Sequence, residues 1–239
     1  HRVTPPELPG LLRAAQQRLA ELDAAADLGA LAVRVERAQS AYLEEAKILS
    51  DVRRNTASVM SEKVSEVMQQ LALSSGRFEV ALLPLEAPAV YGAEQVEFRI
   101  AGLAGHDAKP LAKVASGGEL SRISLAIQVL TSRSAAVPTL IFDEVDVGIG
   151  GSVAEVVGRL LARLGERRQV LCVTHLPQVA ACADWQWQVS KERSGDAFRS
   201  RVDVLDDADR VEEIARMLGG VEITARTRAH AAEMLQRAG

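Results

Sequence analysis

Two carboxylates, Asp143 and Glu144, directly follow the apolar run Thr139 to Phe142, which predicts a buried strand. A helical stretch from about Ser152 to Leu164 and a second apolar run, Val170 to Thr174, come next, so the segment predicts a strand–helix–strand unit in a parallel sheet. Ligands collect at the carboxyl edge of such strands. An acid pair at that edge can hold Mg²⁺ and polarise an attacking water, although a solvated strand end explains the same residues.

A glycine-rich turn, Ser116-Gly117-Gly118-Glu119, opens directly into a helix predicted from about Leu120 to Arg133. Backbone N–H groups of such a turn, a serine hydroxyl and the positive end of a helix form an anion site that suits phosphate. Alternatively, Ser116 caps the helix and Glu119 completes a capping box. The capping box explains the helix start but not the adjacent glycines, and both interpretations can hold at once.

His175 follows the second predicted strand, so the parallel order places it at the same edge as Glu144. A lone histidine is usually structural. Here three polar features fall at the ends of elements that the topology brings together, which favours a role for His175 in the site.

The N-terminal third predicts helices, because apolar residues recur every three or four positions from Leu12 to about Leu73, with a break at Gly29. The stripe fits a coiled-coil arm or a pair of amphipathic helices on a globular core, and interruptions at Glu45 and Thr56 leave both open. We therefore divide the chain into a helical arm, residues 1–75, and a lobe, residues 76–239. In the lobe we also predict strands and helices over Phe78–Leu83, Val96–Ala101, Arg210–Leu218 and Ile223–Arg237.

The composition excludes a strongly basic protein, since 28 Lys and Arg stand against 32 Asp and Glu, for a net charge of −4 over 239 residues. Any DNA contact needs a local patch, and we interpret Arg53-Arg54 as a solvated helix face. Cys172 and Cys182 match no disulfide framework, which favours a reducing cytoplasm and inert core thiols. No apolar run approaches the roughly 18 residues that span a bilayer, so we expect no membrane partner. The chain starts at His1 without a Met, which suggests a fragment of a longer protein.

Four motifs in this order resemble those of ABC-type ATPases: a signature turn, a Walker B acid with a catalytic glutamate, a D-loop and a switch histidine. They correspond to Ser116-Gly117-Gly118-Glu119, Asp143-Glu144, Asp146 and His175. The longer runs Lys113–Arg122, Phe142–Gly151 and Val173–Ala180 closely resemble the RecN family of bacterial SMC-like DNA double-strand-break repair ATPases. The resemblance covers most of residues 76–239 and is only architectural over the N-terminal helices.

One motif is missing, because the sequence contains no G-x-x-x-x-G-K-[ST]. In the RecN family the Walker A loop lies in an N-terminal lobe, separated from the C-terminal lobe by a long coiled coil. The resemblance therefore implies an α/β fold: the C-terminal lobe of an ABC/SMC-type P-loop ATPase head, preceded by an antiparallel coiled-coil segment. It also implies an N-lobe partner, from the same parent chain or a second one, a homodimer of heads, DNA, and a nucleoid-associated place in the cytoplasm.

The resemblance also implies roles for the site residues, with ATP and Mg²⁺ as cofactors. Glu144 would polarise the attacking water, Asp143 would hold Mg²⁺ through water, and His175 would contact the γ-phosphate. The remaining candidates would act between two heads. The signature residues Ser116, Gly117 and Gly118 would contact the partner's γ-phosphate, and the D-loop residue Asp146 would bridge the heads.

The implied function is ATP-driven head engagement that holds or bridges DNA ends during repair and recombination. The chain alone should be inactive as an ATPase until a Walker A lobe completes it. Two alternatives stay open: a non-catalytic clamp that caps a partner's ATP, and a fragment of an ABC transporter ATPase. The transporter is disfavoured because it has no reason to enter the signature lobe from a long helical arm.

Overall fold

The computed structural model describes residues 4–73, 76–101, 108–113, 116–132, 137–194, 197–219 and 222–238. The helices are α1 Leu8–Ala26, α2 Leu28–Gln70, α3 Gly117–Thr131, α4 Gly151–Gly165, α5 Pro177–Ala180, α6 Asp207–Gly219 and α7 Ala225–Ala238. The strands are β1 Arg77–Ala89, β2 Gly92–Ala101, β3 Lys109–Pro110, β4 Thr139–Phe142, β5 Gln169–Cys172, β6 Trp187–Ser194 and β7 Ala197–Val204. Two compact units divide the chain: His1–Arg54 with Leu83–Gln95, and Asn55–Leu82 with Val96–Gly239. The predicted division at residue 75 stays a prediction.

The first unit is dominated by helices, as the apolar periodicity predicts. Asp27 separates α1 from α2, and its Oδ1 accepts a hydrogen bond from Ala30 N–H at 3.0 Å, so Asp27 caps α2 next to the predicted break. The apolar stripe of α1 is exposed, with Leu12 and Leu19 each 59% accessible. An exposed stripe on a long helix is what one half of a coiled coil presents to its partner.

Arg53 anchors the turn between β1 and β2 instead of lying in solvent. It is half-buried and donates to Tyr91 O at 2.7 Å, so the prediction of a solvated face is wrong for this residue. Arg54 is exposed and pairs with Asp51 at 2.8 Å. Gly92 has φ +111°, and a Cβ there would come 2.9 Å from the Arg53 guanidinium, so this turn requires a glycine.

The core of the second unit joins the end of α2 to the first sheet and to α3 and α4. Ser61 and Ser65 on α2 accept hydrogen bonds from the N–H groups of Val80 and Phe78 at 2.9 and 3.0 Å, which fixes β1 against the helix. The Phe78 and Phe98 rings lie 5.4 Å apart. The fully buried side chains of this cluster include Val64, Met68, Leu71, Phe78, Leu125, Val157 and Leu164.

The predicted strand–helix–strand unit is confirmed. β4 has the predicted bounds and pairs in parallel with β5, in a register that sets Thr139 against Gln169 and Phe142 against Cys172. β5 ends at Cys172, two residues before the predicted end, although Val173 N–H still donates to Phe142 O at 3.0 Å. The helix α4 that connects the strands buries Val157, Leu161 and Leu164 in the core. The predicted α/β fold class is therefore confirmed.

Three strands of the lobe, β3, β6 and β7, were not predicted. β6 and β7 form an antiparallel hairpin that pairs Trp187 with Val204 and Val189 with Val202. Trp187 lies on β6 and is 56% exposed, and Trp185 just before it is 78% exposed, so neither tryptophan belongs to the buried core. Between β2 and α3 the structure describes residues 108–113, which contain β3, and β3 pairs with β2.

The last two helices, α6 and α7, confirm the prediction and enclose a second small core around Ile214 and Ala231. Across the described residues, no helix is long and apolar enough to cross a membrane.

Candidate functional site

The candidate site lies at the carboxyl edge of the β4–β5 sheet. β4 and β5 are parallel neighbours. Asp143 and Glu144, which follow β4, therefore lie at the same edge of the sheet as Val173 to His175, which follow β5. The side chains of Asp143, Glu144 and His175 are exposed there. The structure thus brings together the acid pair and the histidine, as the predicted topology requires.

Glu144 has a left-handed backbone, with φ +59°. Its N–H donates to Asp143 Oδ1 at 2.9 Å and its carbonyl accepts from Val147 N–H at 3.2 Å. This conformation costs about 1–2 kcal/mol for a residue other than glycine, and such strain is concentrated at functional sites. The turn leaves the carboxylates of Asp143 and Glu144 outside and directs Val145 and Asp146 inward, where both are buried.

Asp146 connects the two strand ends. Its side chain is 3% exposed, and its Oδ2 accepts hydrogen bonds from Thr174 Oγ1 at 2.6 Å and from His175 N–H at 3.1 Å. The His175 Nδ1 lies 3.3 Å from the same oxygen. These contacts lie within one chain, and the D-loop role between two heads stays a prediction. Sequence reasoning assigned no role to Thr174, although it directly precedes His175.

Ser116 caps α3, which is the serine half of the predicted capping box. Its backbone is extended, with φ −104° and ψ 123°, and its Oγ accepts a hydrogen bond from Glu119 N–H at 3.4 Å. A Cβ on Gly117 would lie 2.5 Å from Glu144 Oε2, and one on Gly118 would lie 3.2 Å from Val147 O. Close packing against backbone therefore gives Gly118 a steric reason, whereas the neighbour of Gly117 is the movable end of a side chain, so the phosphate contact that the sequence suggested stays the reason for Gly117.

Two hydrogen bonds attach α3 to the loop after β4. Ser121 Oγ donates to Asp143 O at 2.9 Å, and the Arg122 guanidinium donates to Val147 O at 2.8 Å. Arg122 is only 7% exposed, and burial lowers the pKa of its guanidinium, against the opposing effect of Glu119. Sequence reasoning missed both roles, since a serine and an arginine on a helix give no sign of a contact so far along the chain. With these contacts, all seven candidate residues lie at the carboxyl edge of the β4–β5 sheet: Ser116, Gly117, Gly118, Asp143, Glu144, Asp146 and His175.

Cys172, at the end of β5, is a neutral thiol. Burial raises its pKa to about 12, and the charges of Asp146 and Asp143 add to the shift. Burial also raises the pKa of Cys182. A protonated thiol is a poor nucleophile, which argues against cysteine chemistry at this edge.

The donor set fits a magnesium nucleotide better than a metal held by protein alone. Within the described part of the chain, no group of three His, Cys, Asp or Glu side chains could hold a metal ion. Mg²⁺ keeps several waters and commonly binds one or two carboxylates together with substrate phosphates. The exposed carboxylate of Asp143 suits that mode, and the N-terminus of α3 suits a phosphate.

The fold is of the class found in the C-terminal lobe of an ABC/SMC-type ATPase head. A solved Smc head domain with a coiled coil and joint from Pyrococcus yayanosii matches with a TM-score of 0.55 and 22% identity, over 90% of this chain and 39% of that one. At this identity the likeness shows the fold. No family model matches the sequence.

The sequence relatives are more specific. The DNA repair protein RecN of Haemophilus influenzae is 49% identical over 191 residues, 80% of this chain. The RecN of Vibrio cholerae is 42% identical over 237 residues, 98% of this chain. These matches confirm the resemblance: the chain is a RecN-family sequence that spans 34% and 43% of the length of these relatives.

Proposed function

We propose that this chain forms the signature and Walker B half of an SMC-like ATPase head that acts in DNA double-strand-break repair and recombination. The observation that supports this most is the shared edge of the sheet. There an acid pair and a histidine follow two neighbouring parallel strands. Hydrogen bonds from Ser121 and Arg122 hold the glycine-rich start of α3 against the loop after β4. The relatives' description as DNA repair proteins supports the biological role.

The exposed side chains divide the chemistry of hydrolysis among them. Mg²⁺–ATP, when bound, supplies the phosphoryl group and the charge that neutralises it. Asp143 would hold the metal, and Glu144 would accept the proton of the attacking water, as a positioned carboxylate does in general base catalysis. His175, on the neighbouring strand end, contacts the γ-phosphate and responds to its loss.

The signature turn acts on the nucleotide of a second head. Ser116 and Gly117 are exposed at the start of α3, a 15-residue helix, so their polar groups and the helix dipole face outward. Together with Gly118 they bind the γ-phosphate that the partner's Walker A loop holds. The resemblance also gives Asp146 a contact between heads, a role that competes with the hydrogen bonds its buried carboxylate makes to Thr174 and His175 of its own chain. Since this sequence has no Walker A motif, an N-terminal lobe supplies it, and two such heads form the homodimer.

Engagement of the heads holds or bridges DNA in the nucleoid. The DNA role rests on the relatives, because the net charge of −4 shows no general attraction for nucleic acid.

The test is ATP hydrolysis by the chain alone and by the chain co-expressed with a Walker A lobe. The chain alone should show no turnover, and the completed head should turn over. Glu144→Gln in the completed head should retain ATP binding and lose roughly 10²- to 10⁴-fold in kcat, because it removes the base and keeps the shape. Glu166→Gln is the matched control, since this exposed glutamate follows α4 at the opposite edge of the sheet.

Steady turnover by the purified chain alone would contradict the need for a second lobe. An unchanged kcat for Glu144→Gln would assign the base elsewhere. ATP-dependent dimerisation without hydrolysis in the completed wild type would favour the alternative function, a non-catalytic module that caps a partner's ATP, over the ATPase.

A further inference from the structure

The carboxylate of Asp146 is the most heavily bonded acid at the site. Its Oδ2 accepts from Thr174 Oγ1 and from His175 N–H and lies 3.3 Å from His175 Nδ1. The side chain is 3% exposed, so water can offer it little. Burying a carboxylate costs free energy unless hydrogen-bond donors satisfy it. The Asp146 carboxylate and its donors therefore hold one another in place.

We infer that Asp146 and Thr174 form a clamp that positions His175 for its contact with the γ-phosphate. The inference rests on the proposed function, which gives His175 that contact. The His175 side chain is 68% exposed, and an exposed imidazole can rotate freely unless a partner holds it. The clamp fixes the backbone through the His175 amide and turns Nδ1 toward Asp146. Nε2 is then the nitrogen presented to a ligand.

The Thr174 hydroxyl takes part in the clamp both as a hydrogen-bond donor and as an acceptor. The hydroxyl donates to Asp146 at 2.6 Å and accepts from Leu176 N–H at 3.1 Å. It thus closes the loop from β5 to Pro177, where α5 begins. Because Asp146 belongs to the loop that also carries Glu144, the clamp links the end of β4 to the end of β5.

A bridge between two heads, as the D-loop resemblance implies, makes a different demand on Asp146. A carboxylate that contacts a second head has to be accessible, whereas this one faces Thr174 and His175 of its own chain. In the clamp, Thr174 and Asp146 act through His175. In the bridge, Asp146 acts without Thr174.

The experiment uses the head completed by its Walker A lobe. Thr174→Val and Asp146→Asn should each lower kcat by about 10- to 100-fold, the usual contribution of partners that orient a functional imidazole. KM for ATP and ATP-dependent dimerisation should stay at wild-type values. Thr174→Ser is the matched control, because it keeps the hydroxyl and should keep the activity. Thr174→Ala serves as a second hydroxyl-free variant if the valine does not fold.

Two readouts separate positioning from general stability. In a His175→Ala background, Thr174→Val should lower kcat no further, since the clamp acts only through His175. When only this chain, which has four histidines, is labelled with ¹⁵N-histidine before the head is completed, Thr174→Val should shift the ring signals of His175 and leave the others in place. His175→Ala assigns the signal.

A wild-type kcat with unchanged His175 signals in Thr174→Val would overturn the clamp. So would loss of dimerisation in Asp146→Asn while Thr174→Val behaves as wild type, because that is the pattern of a bridge. A completed wild-type head without ATPase activity would instead overturn the proposed function, and the histidine spectra would still test the clamp.

Discussion

The carboxylate of Glu144 lies directly in front of Gly117, so that a Cβ on Gly117 would come 2.5 Å from Oε2. The start of a helix favours a negative charge, and α3 offers such a position to the carboxylate. The proposed base and the proposed signature turn of one chain are therefore neighbours, although the family resemblance assigns them to different nucleotides. When a partner's phosphate approaches Gly117, we expect Glu144 to turn toward the nucleotide of its own head.

The two signature glycines should respond differently to alanine. Gly117→Ala should change the free energy of unfolding little, because the atom it meets is the end of a flexible side chain. Gly118→Ala should destabilise by about 1 kcal/mol or more, because its Cβ would meet Val147 O at 3.2 Å and the buried Arg122 guanidinium at 3.3 Å. Urea unfolding of both variants measures the difference, and equal or reversed losses would contradict this packing.

Ala72, just after α2, has φ +57° and is exposed, a conformation that favours glycine. Ala72→Gly should therefore raise the free energy of unfolding by about 1 kcal/mol. Ala41→Gly is the matched control: this exposed alanine lies inside α2, where glycine costs about 1 kcal/mol. Opposite shifts of the unfolding midpoint are expected, and a loss of stability at both positions would contradict the left-handed end of α2.

The elements around the site could be predicted because they carry strong local signals. β4 is a short apolar run between a proline and two acids, and its bounds were predicted without error. The hairpin was missed although Trp187 and Val189 alternate with polar residues, because the alternation stops after Ser190 and β6 continues as the polar run Lys191–Ser194. The burial of Asp146 depends on Thr174 from another loop, and the left-handed backbone of Glu144 depends on hydrogen bonds within its own turn, neither of which a local sequence pattern reveals.

The thiols should be unreactive in the folded protein. With its pKa raised to about 12, Cys172 stays protonated at pH 8, so iodoacetamide should label it far more slowly than in urea. The Cys182→Ala variant isolates Cys172 for this measurement. Equal labelling rates with and without urea would contradict the burial of Cys172.

The same shift predicts how stability changes with pH. The folded pKa of Cys172 lies above the unfolded value of about 8.5, so the folded state binds the proton more tightly. Its contribution to stability is complete below the unfolded pKa and is lost as pH rises toward about 12. Cys172→Ala should flatten that part of the stability profile, measured by urea unfolding between neutral and alkaline pH. An unchanged slope would assign the alkaline loss to other groups.

The central claim is that each nucleotide site is shared by two heads, and mixing two inactive variants of the completed head tests it most directly. Ser116→Arg blocks the signature turn, and Glu144→Gln removes the base, so each homodimer should be inactive. Random pairing makes half of the dimers mixed, each with one intact site of two, so an equal mixture should regain about a quarter of the wild-type ATPase rate. No recovery on mixing, with both variants folded and dimeric, would contradict the shared site and place Ser116 and Glu144 in one site of one chain.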